Sequence, residues 1–265
     1  AGVFFALEVI LGEFTSSSFG IVVLAAVVSS GFTRFMRGEN PIFDGLERFE
    51  LGDPLQLIFY ALLGLGLAFF ASLAVRTVHA TQDFAHRRFN HLPRPLRTAV
   101  VGALVGVVGI VFPPILGPGE EFMHDILTGH AQLSIGLLLL LGFVKLAMTS
   151  LSLAGGFVGG VFAPSLFMGT VLGSAYGQLL QSLFPQANLG QPQTFAIAGM
   201  AALMAGIVRA PITAILIVFE ITNDYALILP IMLASVVCVF VLERGGPAGI
   251  YHLALLKQGL RLQQG

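Results

Sequence analysis

The sequence predicts an all-α integral membrane protein with helices of unequal length, some of them broken inside the bilayer. Three observations predict this. Of 265 residues, 56% are hydrophobic and only 10% charged, where a soluble domain carries about 25% charged residues; the mean hydropathy is +0.90. Apolar segments recur at 1–11, 19–33, 55–78, 98–116, 134–154, 160–184, 194–208, 210–222 and 226–242. Some reach the roughly 20 residues that a crossing needs, whereas 1–11, 194–208 and 210–222 fall short. Glycine and proline interrupt this pattern, and mixed segments of this kind typify transporters with discontinuous helices.

Taken in order, the chain opens inside an apolar stretch, Ala1 to Leu11, with no charged leader before it. The expectation is a fragment that begins part-way through a helix, its N-terminal part missing. Residues 38–53 and 117–133 are polar and acid-rich and are expected to face outward. Residues 79–97 carry Arg87, Arg88, Arg94 and Arg97 and are read as a basic loop, placed in the cytoplasm by the positive-inside rule. His79, His86 and His91 lack metal-ligand spacing, as does the stretch from Glu120 and Glu121 to His124 and His130. No metal site, cofactor site, nucleophile elbow or phosphate loop is read. A net charge of −1 argues against a nucleic-acid partner. Cys238, within Val236-Val237-Cys238-Val239, reads as packing.

Two distant segments match. The run from Ala1 to Glu8 and Val9 resembles the run from Thr213 to Glu220 and Ile221, each a short apolar helix ending in an acid. Downstream, Leu24 to Val28 matches Leu233 to Val237, and Arg37 to Phe43 loosely matches Arg244 to Tyr251. Repeated membrane units form pseudo-two-fold pairs with a substrate site between them. Gly160 precedes Glu220 by 60 residues, so its counterpart should precede Glu8 by a similar distance, before Ala1. The expected units are 1–78, the end of a first inverted repeat; 79–97, the basic loop; 98–243, the second repeat; and 244–265, a C-terminal cytoplasmic helix with the start of a linker.

The strongest chemical signal is Gly159-Gly160-Val161-Phe162-Ala163-Pro164. The glycines permit a tight turn and close approach, and Pro164 suits a first helical turn. Backbone N–H groups at such a break need partners in hydrocarbon, and a helix start is partly positive. Val161 and Phe162 could aim theirs at an anion. Close helix–helix packing by small residues is the alternative. Tyr251 follows Gly245-Gly246-Pro247 and opens a final amphipathic helix; its hydroxyl could donate to an anion, or the ring could serve an interfacial belt. Glu8, Lys145, Arg209 and Glu220 lie in or beside apolar segments, where charge is a functional candidate. Snorkelling from helix ends fits Glu8 and Glu220. Lys145, inside Leu137 to Met148, is expected to cap helix ends or raise the local positive potential.

On these residues the chain resembles the CLC family of chloride channels and proton-coupled chloride exchangers. Gly159 to Pro164 looks like the family's third anion-site motif, and Thr194 to Pro211, Glu220 to Pro230 and the Tyr251 segment add to it. The resemblance implies an inverted-repeat CLC-type fold in a multi-pass protein of the cell (inner) membrane. It implies chloride bound by the N–H groups of Val161 and Phe162 and the hydroxyl of Tyr251, with no enzymatic activity. It implies a homodimer through helices near 1–33 and 210–242. The family's Gly-Ser-Gly-x-Pro and Gly-Arg-Glu-Gly-Pro motifs, which supply an anion-binding serine and a gating glutamate, would lie before Ala1. Many family exchangers carry a proton-relay glutamate directly after the Glu8 position; Val9 stands there and cannot carry a proton, which favours channel-like transport. Phe157 stands where relatives tend to have smaller residues and is expected to narrow the inner entrance. The tail from Ile250 to Arg261 resembles relatives in which nucleotide-sensing CBS domains follow, so a nucleotide is a further expected partner. The other readings are an inverted-repeat transporter for another anion, such as fluoride or nitrate, and a dimerising membrane subunit that does not conduct.

Overall fold

The computed structural model describes residues 1–11, 16–38, 56–89, 93–131, 133–186 and 189–245. Among these residues all regular structure is helical. Helix α1 (Gly2–Phe5) runs into a π-helical turn over Ala6–Leu11. Then come α2 (Ser16–Arg37), α3 (Gln56–Phe89), α4 (Arg94–Val111), α5 (Glu120–Leu127), α6 (Ile135–Gly155), α7 (Phe162–Leu183), α8 (Pro192–Val208), α9 (Pro211–Thr222) and α10 (Ile228–Gly245). Among the described residues, five stretches are long and apolar enough to cross a bilayer: Phe19–Met36, Gln56–Phe89, Arg94–Val111, Ile135–Gly155 and Tyr225–Gly245. Gly2–Leu11, Pro192–Val208 and Pro211–Thr222 are apolar but shorter.

The core is built around α8. A helix that is hydrophobic all round must be buried, and every residue of α8 from Thr194 to Val208 is. Helix α7 lies against it at backbone contact. A methyl group added at Gly169 or Gly173 would collide with the carbonyls of Gly199 and Phe195. In lipid the solvent supplies no hydrophobic drive between helices, so close approach through small residues is what holds such a pair. Helix α3 closes a second side: Tyr60 stacks on Phe195 with centroids 4.5 Å apart and donates its hydroxyl to Thr194 Oγ1 at 2.7 Å. Helix α10 closes a third, with Cys238 fully buried beside Gly206. That agrees with the packing role read for this cysteine.

The 79–97 stretch is mostly not a loop. Helix α3 continues to Phe89 and α4 begins at Arg94. Hydropathy marks where a helix leaves hydrocarbon, not where it ends, and nothing between His79 and Phe89 is a glycine or proline to stop it. The acid-rich 117–133 stretch likewise contains α5, with Glu120 and Glu121 in its first turn, where acids complement the helix dipole.

The short matching segments pair antiparallel. Glu8, on the π turn, accepts hydrogen bonds at the start of α9: from Ile212 N at 3.2 Å, Thr213 N at 2.7 Å and Thr213 Oγ1 at 2.6 Å. The opposite ends also meet, with Ala1 beside Glu220 near the end of α9. Glu8 therefore serves the beginning of the matching segment's helix, and the antiparallel pairing is what two copies related by a pseudo-two-fold axis would give. The snorkelling read for Glu8 is corrected, since its carboxylate caps the start of α9; Glu220, at the end of α9, is 62% exposed.

Candidate anion site at the start of α7

Helix α6 ends at Gly155 because Gly156 takes a left-handed conformation, φ +92°. Its N–H donates to Leu153 O at 3.3 Å, and Phe157 N donates to Ser152 O at 3.2 Å. This is the usual satisfaction of a helix's last carbonyls. Residues 156–160 are exposed, Val161 is buried, and α7 starts at Phe162. Pro164 falls in the first turn, where its missing N–H removes nothing. Ser165 N donates to Val161 O at 2.9 Å. The N–H groups of Val161, Phe162 and Ala163 have no acceptor among the described residues. Three donors at a partly positive helix start, flanked by glycines without side chains, can take an anion and contribute no full charge of their own.

Neighbours hold this turn from three sides. The Phe162 ring meets Phe5 of α1 edge to face, with centroids 6.0 Å apart, so the N-terminal unit reaches the site. The Thr98 hydroxyl of α4 donates to Gly155 O at 2.9 Å. The Phe157 ring lies over Gly102, where an added methyl would come within 3.1 Å of it; it packs on α4 while remaining 41% exposed. On the far side a cleft of about 370 Å³ lies between α6, the 115–118 turn and the loop before α7, and runs from Gly159 and Gly160 to Lys145. Lys145 is buried, and its Nζ donates to Ile115 O at 2.9 Å and Gly117 O at 2.7 Å while standing 4.6 Å from the centre of the Phe167 ring. It ties the 3-10 turn Pro113–Ile115 to the two helices that flank the site. Arg209, the C-cap of α8 at φ +64°, sends Nη2 to Leu242 O at 3.0 Å, at the end of α10.

Gly159, Gly160, Val161, Phe162, Ala163 and Pro164 therefore form one continuous turn. Val9 lies on the π-helical turn, partly buried and packed on the hydrophobic core. Tyr251 and the tail after Gly245 lie outside the described residues. Sequence reasoning missed the Glu8 cap on α9, the Thr98 link to Gly155 and the carbonyl partners of Lys145. Only the first left a signal, Pro211 followed by Thr213, which marks a helix start in want of an acceptor.

The chain combines a discontinuous helix start with short matching segments that pair antiparallel, an arrangement typical of inverted-repeat membrane proteins. Residues 1–243 match the family described as voltage gated chloride channel, and the chain belongs to that family. It is 33% identical over 271 residues to the H(+)/Cl(-) exchange transporter ClcA of Vibrio parahaemolyticus, covering 99% of this chain and 57% of that protein. To the transporter of the same name from Salmonella paratyphi B it is 34% identical, covering 97% and 54%. Among solved structures it resembles a slow cyanobacterial Cl-/H+ antiporter, with a TM-score of 0.80, 27% identity, and coverage of 97% of this chain and 60% of that one. A eukaryotic CLC transporter shares the fold, with a TM-score of 0.78 at 22% identity over 97% of this chain and 42% of that one. The chain spans somewhat more than half the length of the curated relatives it matches. The fold is thus the all-α, inverted-repeat CLC type in a multi-pass membrane protein, and at family level the chain stands with transporters rather than enzymes.

Proposed function

We propose that the whole protein moves chloride across the cell membrane. The observation that carries this is the set of N–H groups on Val161, Phe162 and Ala163, which have no acceptor among the described residues. A mobile halide fits such a set. Neutral dipoles replace part of its hydration shell, yet let it leave faster than a full positive charge would. Val161 and Phe162 act as donors, Gly159, Gly160, Ala163 and Pro164 give the turn its shape, and Tyr251 supplies a hydroxyl. Chloride efflux from liposomes holding the full-length protein tests the reading, and bromide anomalous scattering beside Val161 and Phe162 tests the site. Intact dimers without flux would instead support a non-conducting subunit, and flux of fluoride or nitrate alone a different substrate.

Two observations bear on coupling. The curated relatives named above are exchangers of chloride for protons. In this chain Val9 is apolar and packed on the core, so protons, if they move, take a path other than residue 9. Reversal potential under a proton gradient separates the two: no shift with pH fits the channel-like reading that Val9 favours, and a shift fits exchange.

The proposed partner is a second copy of the chain. Helix α2 is almost wholly uncovered, with Ile21, Leu24, Val27 and Phe32 each more than 60% exposed. Helix α10 exposes Leu229, Met232, Val236 and Phe240. Pairing through these faces, near 1–33 and 210–242, would place one anion path in each subunit. Crosslinking between cysteines introduced at Leu24 and Val236 reads this directly.

A further inference from the structure

We propose that the end of α3 and the start of α4 form a binding site for the phosphate headgroup of an anionic phospholipid. From Phe84 to Gly119 the chain contains no acidic residue, yet it carries Arg87, Arg88, Arg94 and Arg97. Arg87, Arg88 and Arg94 are exposed. None of the four has a carboxylate partner among the described residues. Asp83, the nearest acid, has a partner already. The Nε of Arg97 is buried without any acceptor among the described residues, although a buried guanidinium nitrogen ordinarily has one. These guanidinium groups, without a carboxylate partner among the described residues, sit on two neighbouring helix ends; Arg88 and Arg94, which flank the break, are at most about 22 Å of chain apart.

The surroundings are those of the membrane interface. Helix α4 has 18 residues, about 27 Å of helix, so it must begin close to the boundary of a hydrocarbon core about 30 Å thick. Arg94 and Arg97 open it. Exposed apolar side chains stand among the cations: Phe84 is 62% exposed, Leu96 49% and Phe89 38%, and the two aromatic rings meet edge to face with centroids 6.1 Å apart. Aromatic rings among arginines suit the headgroup level, where the rings meet acyl chains and the guanidinium forks meet phosphate. A soluble phosphate would use the arginines and leave the rings in water, and so a lipid is the occupant that accounts for both.

The test is native mass spectrometry of the purified full-length protein titrated with phosphatidylglycerol or phosphatidylcholine. Arg87, Arg88 and Arg94 are replaced by glutamine singly and together, and separately by lysine. Arg97 is left alone because its guanidinium stands beside Gly156. The native protein should prefer phosphatidylglycerol, and that preference should fall about fivefold per arginine lost to glutamine, while lysine should retain most of it. Equal binding of the two lipids by the native protein would overturn the proposal. So would an unchanged preference in the triple glutamine protein, or displacement of the lipid by excess inorganic phosphate. The reading involves no ion movement, so its outcome is independent of the chloride proposal.

Discussion

Two helix starts in this molecule meet the same physical demand in opposite ways. At α9 the N–H groups of Ile212 and Thr213 are taken by the Glu8 carboxylate. At α7 those of Val161, Phe162 and Ala163 have no acceptor among the described residues. Both starts are apolar in sequence and both carry a proline in their first turn. What differs is the neighbour: a carboxylate on the π turn at α9, glycines and a phenylalanine ring at α7. One start has a permanent anion built into the chain, and the other is the one proposed to take a mobile anion. A membrane protein can thus spend the same backbone dipoles on holding repeats together or on handling a solute.

The contrast can be broken at either end, in the full-length protein. The largest effect is expected from Glu8→Ala, which strips three donors of a charged acceptor; a loss of about 2 kcal/mol should appear as lower thermal stability in detergent, with halide affinity unchanged. Glu8→Gln, which keeps one acceptor oxygen, should lose less. Next come backbone esters. Replacing the amide N–H of Phe162 by an ester oxygen should weaken bromide binding by calorimetry about tenfold, since a hydrogen bond to a charged group is worth about 1.5 kcal/mol or more, and leave stability alone. The same replacement at Thr213 should lower stability and leave bromide binding alone; identical outcomes at the two positions would erase the distinction. Gly156→Ala should act more weakly, at about 1 kcal/mol for the left-handed backbone, and should register in both stability and halide affinity because it moves the loop. The smallest effect is expected from Tyr251→Phe, which deletes one neutral donor worth about 0.5–1.5 kcal/mol; unchanged bromide affinity would remove that hydroxyl from the site.

The sequence made the spans legible because lipid imposes long apolar runs on a helix, and the observed helices follow the apolar segments closely from 134 to 242. The α7 turn was legible as a break, because two glycines and a proline interrupt such a run, but the glycines alone read equally well as helix–helix packing. The length of α3 was not legible, because a polar helix beyond the bilayer and a polar loop look alike in hydropathy. Glu8 was harder still. Its acceptor role depends on Thr213, 205 residues away, and a lone acid at the end of a short apolar segment reads equally well as snorkelling. The partners of Lys145 are backbone carbonyls, which carry no residue identity to read.

Helix α8 bears on how the chain is made. Enclosed by α3, α7 and α10, it never faces lipid in the finished molecule, though it leaves the ribosome before α10 exists. During synthesis it must wait either in the translocon or against acyl chains with one flank open. Chains stalled before α10 emerges should therefore be sensitive to membrane proteases at α8, and that sensitivity should vanish once residue 245 has cleared.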